Sequence, residues 1–147
     1  MRKNKIIIFL FVVILFIFIF FILSGRKKID YIKIRDNKIN IEIVNTDETR
    51  YKGLSGRENL CADCGMLFVF NDLRERYFVM RDMNFPLDII WIKENRVIKI
   101  DKNLSPEGHN PVNIYSPSEP IDMVLEVNGG FCDRKGIKEG EEIKIRN

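Results

Sequence analysis

The chain has 147 residues, of which 46% are apolar and 31% are charged, with nine glycines and five prolines. This composition excludes a disordered tail, a collagen-like repeat and a disulfide-dense mini-protein, and the length limits the chain to one globular domain. Residues 1–28 carry six basic and no acidic side chains, whereas residues 29–147 carry 18 basic and 21 acidic ones. Because this larger part is mildly acidic and has no basic cluster, we expect no nucleic-acid partner.

The amino-terminal segment contains an unbroken run of 18 apolar residues, from residue 6 to residue 23. As a helix this run would be about 27 Å long, close to the roughly 30 Å of a bilayer's hydrocarbon core. Basic residues flank the run on both sides, and no cysteine follows it closely. We therefore predict one N-terminal transmembrane helix, with a cleaved signal peptide as the alternative. The soluble domain of this single-pass membrane protein would face the extracytoplasmic side.

The predicted organisation has three parts. Residues 1–25 form the anchor or signal segment, residues 26–37 form a charged linker with a short strand at 31–34, and residues 38–147 form the domain. The domain is long enough to bury a core without a metal or a disulfide.

Short apolar runs separated by turn residues predict a series of strands in the domain. These runs cover residues 39–44, 65–70, 77–81, 87–93, 97–101, 121–127 and 141–146. Thr46 and Gly53 bound one predicted short helix, and the pair Gly129-Gly130 with Gly136 bounds a second. We therefore predict a mainly β (α+β) fold, a small closed or strongly curved β-barrel with one or two short helices. Residues 103–120 contain four of the five prolines and predict a covering loop.

Five short motifs occur in a fixed order along the chain. They are Gly53-Leu54-x-x-Arg57, Gly65-Met66-Leu67-Phe68-Val69-Phe70, Phe78-x-Met80-Arg81, Pro86-Leu87-Asp88-Ile89 and Val124-Leu125-Glu126-Val127. In this order and spacing they resemble domain-of-unknown-function family 192, over residues 39–145. The resemblance implies a small β-barrel-like fold that is often exported and has no established activity. Members usually carry Met at the position of Ser55, Trp at that of Val79 and Asn-Thr at that of Asp82-Met83.

Charged residues around Pro86 are the first candidates for a binding site. Arg81 could bind a carboxylate or phosphate, Asp82 lies beside it, and Asp88 could accept hydrogen bonds or act as a general base at a pocket rim. The alternative is structural, because a buried Asp88 needs a partner and could pair with Arg57 or Arg81.

Three further residues belong to the same predicted ligand-binding set. Arg57 lies in the first motif, Met80 in the third, and Tyr115 in the covering loop. The thioether of Met80 has an alternative role as a core residue, because methionine usually fills gaps between strands. The sequence contains no cofactor motif, and we expect no cofactor.

The three cysteines allow several interpretations. Cys61 and Cys64 form a C-x-x-C pair, but a strand rather than a helix follows it, which disfavours a thioredoxin-type site. With Cys132 and His109 they could form a Cys₃His zinc site. In an oxidising compartment, a disulfide from Cys61 or Cys64 to Cys132 is simpler, and in a reducing one all three thiols would be free.

These observations favour a membrane-tethered extracytoplasmic domain that binds a small molecule or a protein partner. The contacts would come from Arg57, Arg81, Asp88 and the covering loop, at the mouth of the barrel. A first alternative is a hydrolase or lyase that uses Asp88 as a base with the assistance of His109. A second is a structural or assembly domain.

Overall fold

The structure, a computed structural model, describes residues 30–146. The predicted anchor and the membrane contact through residues 6–23 lie outside this range. Neither of the two helices between residues 30 and 146 has the length and hydropathy that a bilayer span requires.

Seven strands and two short helices make up the described part of the chain. In chain order they are β1 (Tyr31–Ile34), β2 (Asn37–Val44), α1 (Asp47–Lys52), β3 (Cys64–Arg74), β4 (Leu87–Lys93), β5 (Arg96–Leu104), β6 (Ile121–Asn128), α2 (Phe131–Lys135) and β7 (Ile143–Arg146). The strands form one sheet in the order β5-β4-β6-β3-β2-β1-β7. Neighbouring strands are antiparallel except β2 and β3, which are parallel.

The sheet curls, so that its two outermost strands approach each other. Arg96, at the start of β5, forms an isolated bridge with Glu142, just before β7. A backbone hydrogen bond of 2.9 Å from the Val97 amide to the Glu141 carbonyl joins the same two segments. The fold is therefore mainly β, a curled half-barrel with two short helices, which confirms the predicted class in this coarser form.

The two faces of the sheet carry separate apolar cores. On the first, which we call the helix face, α2 packs over buried side chains that include Ile90, Leu125 and Phe131. On the second, the loop face, irregular segments cover strand residues that include Met66 and Trp91. Because irregular segments cover most of the loop face, with the short helix α1 at one side, this is where a cleft can form.

Two segments differ from the sequence prediction. The predicted short strand at 31–34 is confirmed as β1, but it pairs with both β2 and β7, so the sheet begins within the predicted linker, before residue 38. Residues 77–81, predicted as a strand, form none. Within the described chain, these residues form one isolated β-bridge, between Phe78 and Tyr115. They form no strand because the segment beside them is the irregular covering loop, whose backbone groups are not regularly spaced for further pairing.

The predicted helix boundaries are confirmed. Thr46 caps α1 in a capping box with Thr49, and Gly53 ends the helix with φ of 50°. Helix α2 lies between Gly130 and Gly136, both in the left-handed region that glycine adopts without a steric penalty.

The candidate ligand-binding site

Asp88 is a fully buried residue of β4 whose side chain faces α2. Its Oδ1 accepts hydrogen bonds from the backbone amides of Asn103 (2.7 Å) and Gly130 (2.8 Å), and its Oδ2 accepts one from the amide of Cys132 (2.8 Å). Two of these donors belong to the first turn of α2, whose amides have no partner within the helix. Asp88, on a strand more than 40 residues earlier in the chain, therefore supplies the hydrogen-bond acceptors for the amides at the start of α2.

The predicted roles of Asp88 as a pocket-rim residue and as an ion-pair partner are both wrong. The carboxylate is occupied by three backbone amides and has no solvent exposure. Arg57 pairs instead with Glu42, at 2.7 Å. His109, the proposed assistant, lies on the surface, and its Nδ1 is 3.4 Å from a carboxylate oxygen of Asp82. A base formed by Asp88 and His109 is therefore not present.

The remaining predicted site residues do not form one cluster. Met80 is fully buried in the core of the loop face, where its carbonyl accepts the Glu107 amide at 3.0 Å. Tyr115 exchanges backbone hydrogen bonds of 2.8 and 2.9 Å with Phe78 and so holds the covering loop in place. Asp82 adopts a left-handed backbone, with φ of 51°. Of the six predicted ligand-binding residues, Arg81 alone lines the cleft between α1 and the end of β3.

The cysteines form a local disulfide. Cys61 and Cys64 are bonded to each other in the segment that leads into β3, and Cys132 is a free, buried thiol in α2. The predicted disulfide to Cys132 is therefore wrong, and the four proposed zinc ligands are not brought together. Between residues 30 and 146 no group of three or more metal-ligating side chains is close enough to hold an ion. Burial, and then the Asp88 carboxylate, raises the pKa of the Cys132 thiol.

Reducing the Cys61–Cys64 disulfide is expected to lower the free energy of unfolding by about 2 kcal/mol, because the bond closes a very short loop in the unfolded chain. Denaturant unfolding with and without dithiothreitol measures this difference. The matched control is the double variant Cys61→Ser/Cys64→Ser, whose stability should not respond to the reductant. The double variant retains one cysteine, Cys132, and cannot form a disulfide within the chain, so an equal response in both proteins would contradict the prediction.

A cleft of about 920 Å³ opens on the loop face between α1, the end of β3 and residues 77–83. Its lining is mixed: five aromatic residues, further apolar side chains and several charged ones. The aromatic residues are Tyr51, Phe68, Phe70, Tyr77 and Phe78. A concave site with mostly apolar walls and a few polar groups is typical of small-molecule binding.

Glu126 contributes a carboxyl group to this cleft from the middle of the sheet. It lies on β6, where its neighbours across the ladder are Met66 on β3 and Ile89 on β4. The side chain is 5% exposed, and burial raises its pKa to about 8. Within residues 30–146, neither a hydrogen bond nor a neighbouring charge contributes to this shift. Glu126 is therefore a buried acid at the floor of a cleft, with no partner among the described residues.

Most charges at the rim are paired within the protein. Arg50 forms an ion pair of 2.6 Å with Asp47, and its guanidinium lies 5.0 Å from the centre of the Phe70 ring. Arg76 lies 4.1 Å from the centre of the same ring. These contacts fix the rim side chains, so the rim is ordered without a ligand.

Arg81 is held by the end of α1. Its guanidinium lies 4.1 Å from the centre of the Tyr51 ring and donates a 2.7 Å hydrogen bond to the Tyr51 carbonyl. The Arg81 carbonyl in turn accepts a 2.8 Å hydrogen bond from the Ser55 hydroxyl. Arg81 is thus fixed at the edge of the cleft, whereas Glu126 lies at its floor.

Comparison with known proteins places the chain in a family. The model of domain-of-unknown-function family 192 (DUF192), described as Uncharacterized ACR, matches residues 31–145. The chain belongs to this family. Among curated proteins, none matches this family-192 chain.

Two solved structures are similar to this family-192 domain. A protein of Sinorhizobium meliloti 1021, described as a "putative transcription regulator", has 27% identity and a TM-score of 0.74, over 79% of this chain and 92% of that one. A protein of unknown function from Novosphingobium aromaticivorans DSM 12444 has 31% identity and a TM-score of 0.71, over 78% of this chain and 83% of that one.

Ser55, Val79 and Met83 also line the cleft of this family-192 domain.

Proposed function

We propose that the domain binds a small organic molecule in the cleft of the loop face. The observation that carries this proposal is Glu126, a buried carboxyl group with no partner among the described residues. A buried polar group without a partner destabilises a fold, so such groups are usually satisfied or removed. Acidic side chains with a strongly shifted pKa cluster in the clefts of functional sites.

Binding is better supported than catalysis. General acid–base chemistry requires a second reacting group at hydrogen-bonding distance, such as a nucleophile or a positioning side chain. Within the described range, no side-chain hydrogen bond or nearby charge acts on Glu126. The alternative hydrolase or lyase would also need Asp88, whose carboxylate is already occupied by backbone amides.

The description of the Sinorhizobium meliloti protein suggests a role in transcription for that protein. We do not extend this role to the present chain, because its residues 29–147 are mildly acidic and carry 18 basic against 21 acidic side chains. DNA-binding domains neutralise phosphates with clustered Lys and Arg.

The sequence supports a location for the proposed module. The 18-residue apolar run at residues 6–23 is long enough to span a bilayer, and the Cys61–Cys64 disulfide suits an oxidising compartment. We therefore propose that the module is tethered to a membrane on its extracytoplasmic side.

A fragment screen by nuclear magnetic resonance tests the binding proposal, with a library of amines, carboxylic acids, alcohols and aromatic heterocycles. We expect binders whose shifts map to Phe68, Val79 and Glu126. The variant Val79→Trp, which fills part of the cleft with a side chain common at this position in the family, should weaken these binders at least tenfold. Its control is Val112→Trp, at a residue that is 85% exposed and outside the cleft. Binders that map elsewhere, or equal affinities in both variants, would contradict the proposal.

A further inference from the structure

We infer that the group recognised by Glu126 is an ammonium, so that the ligand of the cleft is an organic amine with an apolar body. This inference rests on the proposed function and adds the chemical class of the ligand. It follows from three observations on the floor, the walls and the rim of the cleft.

At the floor of the cleft, the carboxyl group of Glu126 has neither a hydrogen-bond donor nor a positive charge beside it among the described residues. Met66 and Ile89, its neighbours on the adjacent strands, are apolar. An ammonium placed there would both ionise the carboxyl and pair with it, and a charge-assisted hydrogen bond is stronger than a neutral one. At neutral pH the carboxyl group, with its raised pKa, is protonated, so an anionic ligand could only accept a hydrogen bond from it, and a neutral ligand would gain a single ordinary hydrogen bond.

The walls provide aromatic faces that suit a cation. Phe68 and Phe78 both line the cleft and contact each other edge to face, with ring centres 4.9 Å apart. Guanidinium groups lie over Phe70 and Tyr51 at the rim. No such contact involves Phe68 or Phe78 within the described chain. Phe68 is only 2% exposed, so the half-buried ring of Phe78, which also contacts Trp91 edge to face, is the one that a cation from a ligand can approach. The apolar stem of an alkylamine would pack on the same rings.

The rim is weakly positive, and an entering cation must pass it. Arg50 is paired with Asp47, and Arg74 and Arg76 share the single carboxylate of Asp72. Lys52 and Arg81 have no acidic partner in residues 30–146; Lys52 is exposed and Arg81 is half-buried against Tyr51, and water and salt at the mouth of the cleft screen both charges. The deepest polar group that an entering ligand meets is therefore Glu126.

A matched ligand series tests the inference on the folded domain in its disulfide form: hexylamine, hexanol and hexanoate. Titration followed by the amide shifts of Phe68 and Val79 should give hexylamine an affinity at least tenfold higher than that of hexanol, with hexanoate weakest. In Glu126→Gln, which keeps the size of the side chain, this preference should fall to about twofold or less. The control Glu42→Gln changes a glutamate on β2, which is separated from β6 by β3, and this glutamate is paired with Arg57 outside the cleft, so the variant should keep the preference.

The outcomes separate this inference from the proposed function. Equal affinity for amine and alcohol, or an amine preference that survives in Glu126→Gln, overturns the inference and leaves small-molecule binding intact. If none of the three ligands changes the amide shifts of cleft residues while other library fragments do, the inference fails and the proposed function stands. If no fragment of any class shifts them, both proposals fail.

Discussion

Replacing Asp88 by alanine is expected to lower the free energy of unfolding by about 4 kcal/mol. The substitution removes the acceptor of three backbone amides, and each buried donor without a partner costs about 1–3 kcal/mol. Asp88→Asn keeps one acceptor oxygen and should lose about half as much. Urea unfolding followed by the fluorescence of Trp91, the single and fully buried tryptophan, measures the difference.

A control for this prediction is Asp122→Ala. The Asp122 carboxylate accepts one backbone hydrogen bond, from Glu94 at an exposed turn, at 3.1 Å. Its removal should cost less than about 1 kcal/mol. If Asp88→Ala were as stable as Asp122→Ala but no longer bound the fragments found in the screen, the structural role given to Asp88 would be wrong. Asp88 would then belong to the ligand-binding site, as the sequence predicted.

Glu126 is expected to make the domain less stable as the pH rises. Its pKa in the folded state is about 8, against an ordinary value of 4.5, so the folded state holds a proton that the unfolded state releases. The resulting stabilisation is complete below pH 4.5 and is lost as the pH rises through about 8. Over this interval it amounts to as much as about 5 kcal/mol.

A comparison of wild type with Glu126→Gln isolates this effect, because the two proteins have all other titrating groups in common. Unfolding free energies measured from pH 4.5 to pH 9 should give a difference between the two proteins that changes by several kcal/mol, with the wild type losing stability faster. Glu42→Gln, a change at an exposed residue, should run parallel to wild type. Parallel curves for Glu126→Gln and wild type would show that Glu126 is ionised and solvated in the folded protein.

Sequence periodicity was sufficient to predict the regular elements of secondary structure. The alternation in β2 and the apolar runs of β4 and β6 report burial on the faces of a sheet, which is a local property of each strand. The caps of α1 and α2 are also local, because Thr46, Gly53 and Gly136 act within one turn of the helix they bound. The run at residues 77–81 was misleading, because its apolar residues pack on the sheet without entering it.

The candidate site was harder to predict because it depends on contacts between distant segments. A single acid in the apolar strand β4 correctly marked Asp88 as buried, but the sequence could not show that α2 supplies its partners. The same signal is present in β6, where Glu126 interrupts an apolar strand, and applying it there would have found the floor of the cleft. For the cysteines, spacing alone could not choose between Cys64 and Cys132 as the partner of Cys61.

The pairing of β1 with β7 has a consequence for the order in which the protein forms. Tyr31 lies opposite Arg146, so the first strand of the described sheet takes one of its two neighbours from the last. Contacts between such distant positions form late, because the intervening chain must first be closed into a very long loop. During synthesis, β1 can meet β2 at once but cannot pair with β7 until the chain has been made as far as Arg146. If the chain is exported, its sheet would be completed only after translocation.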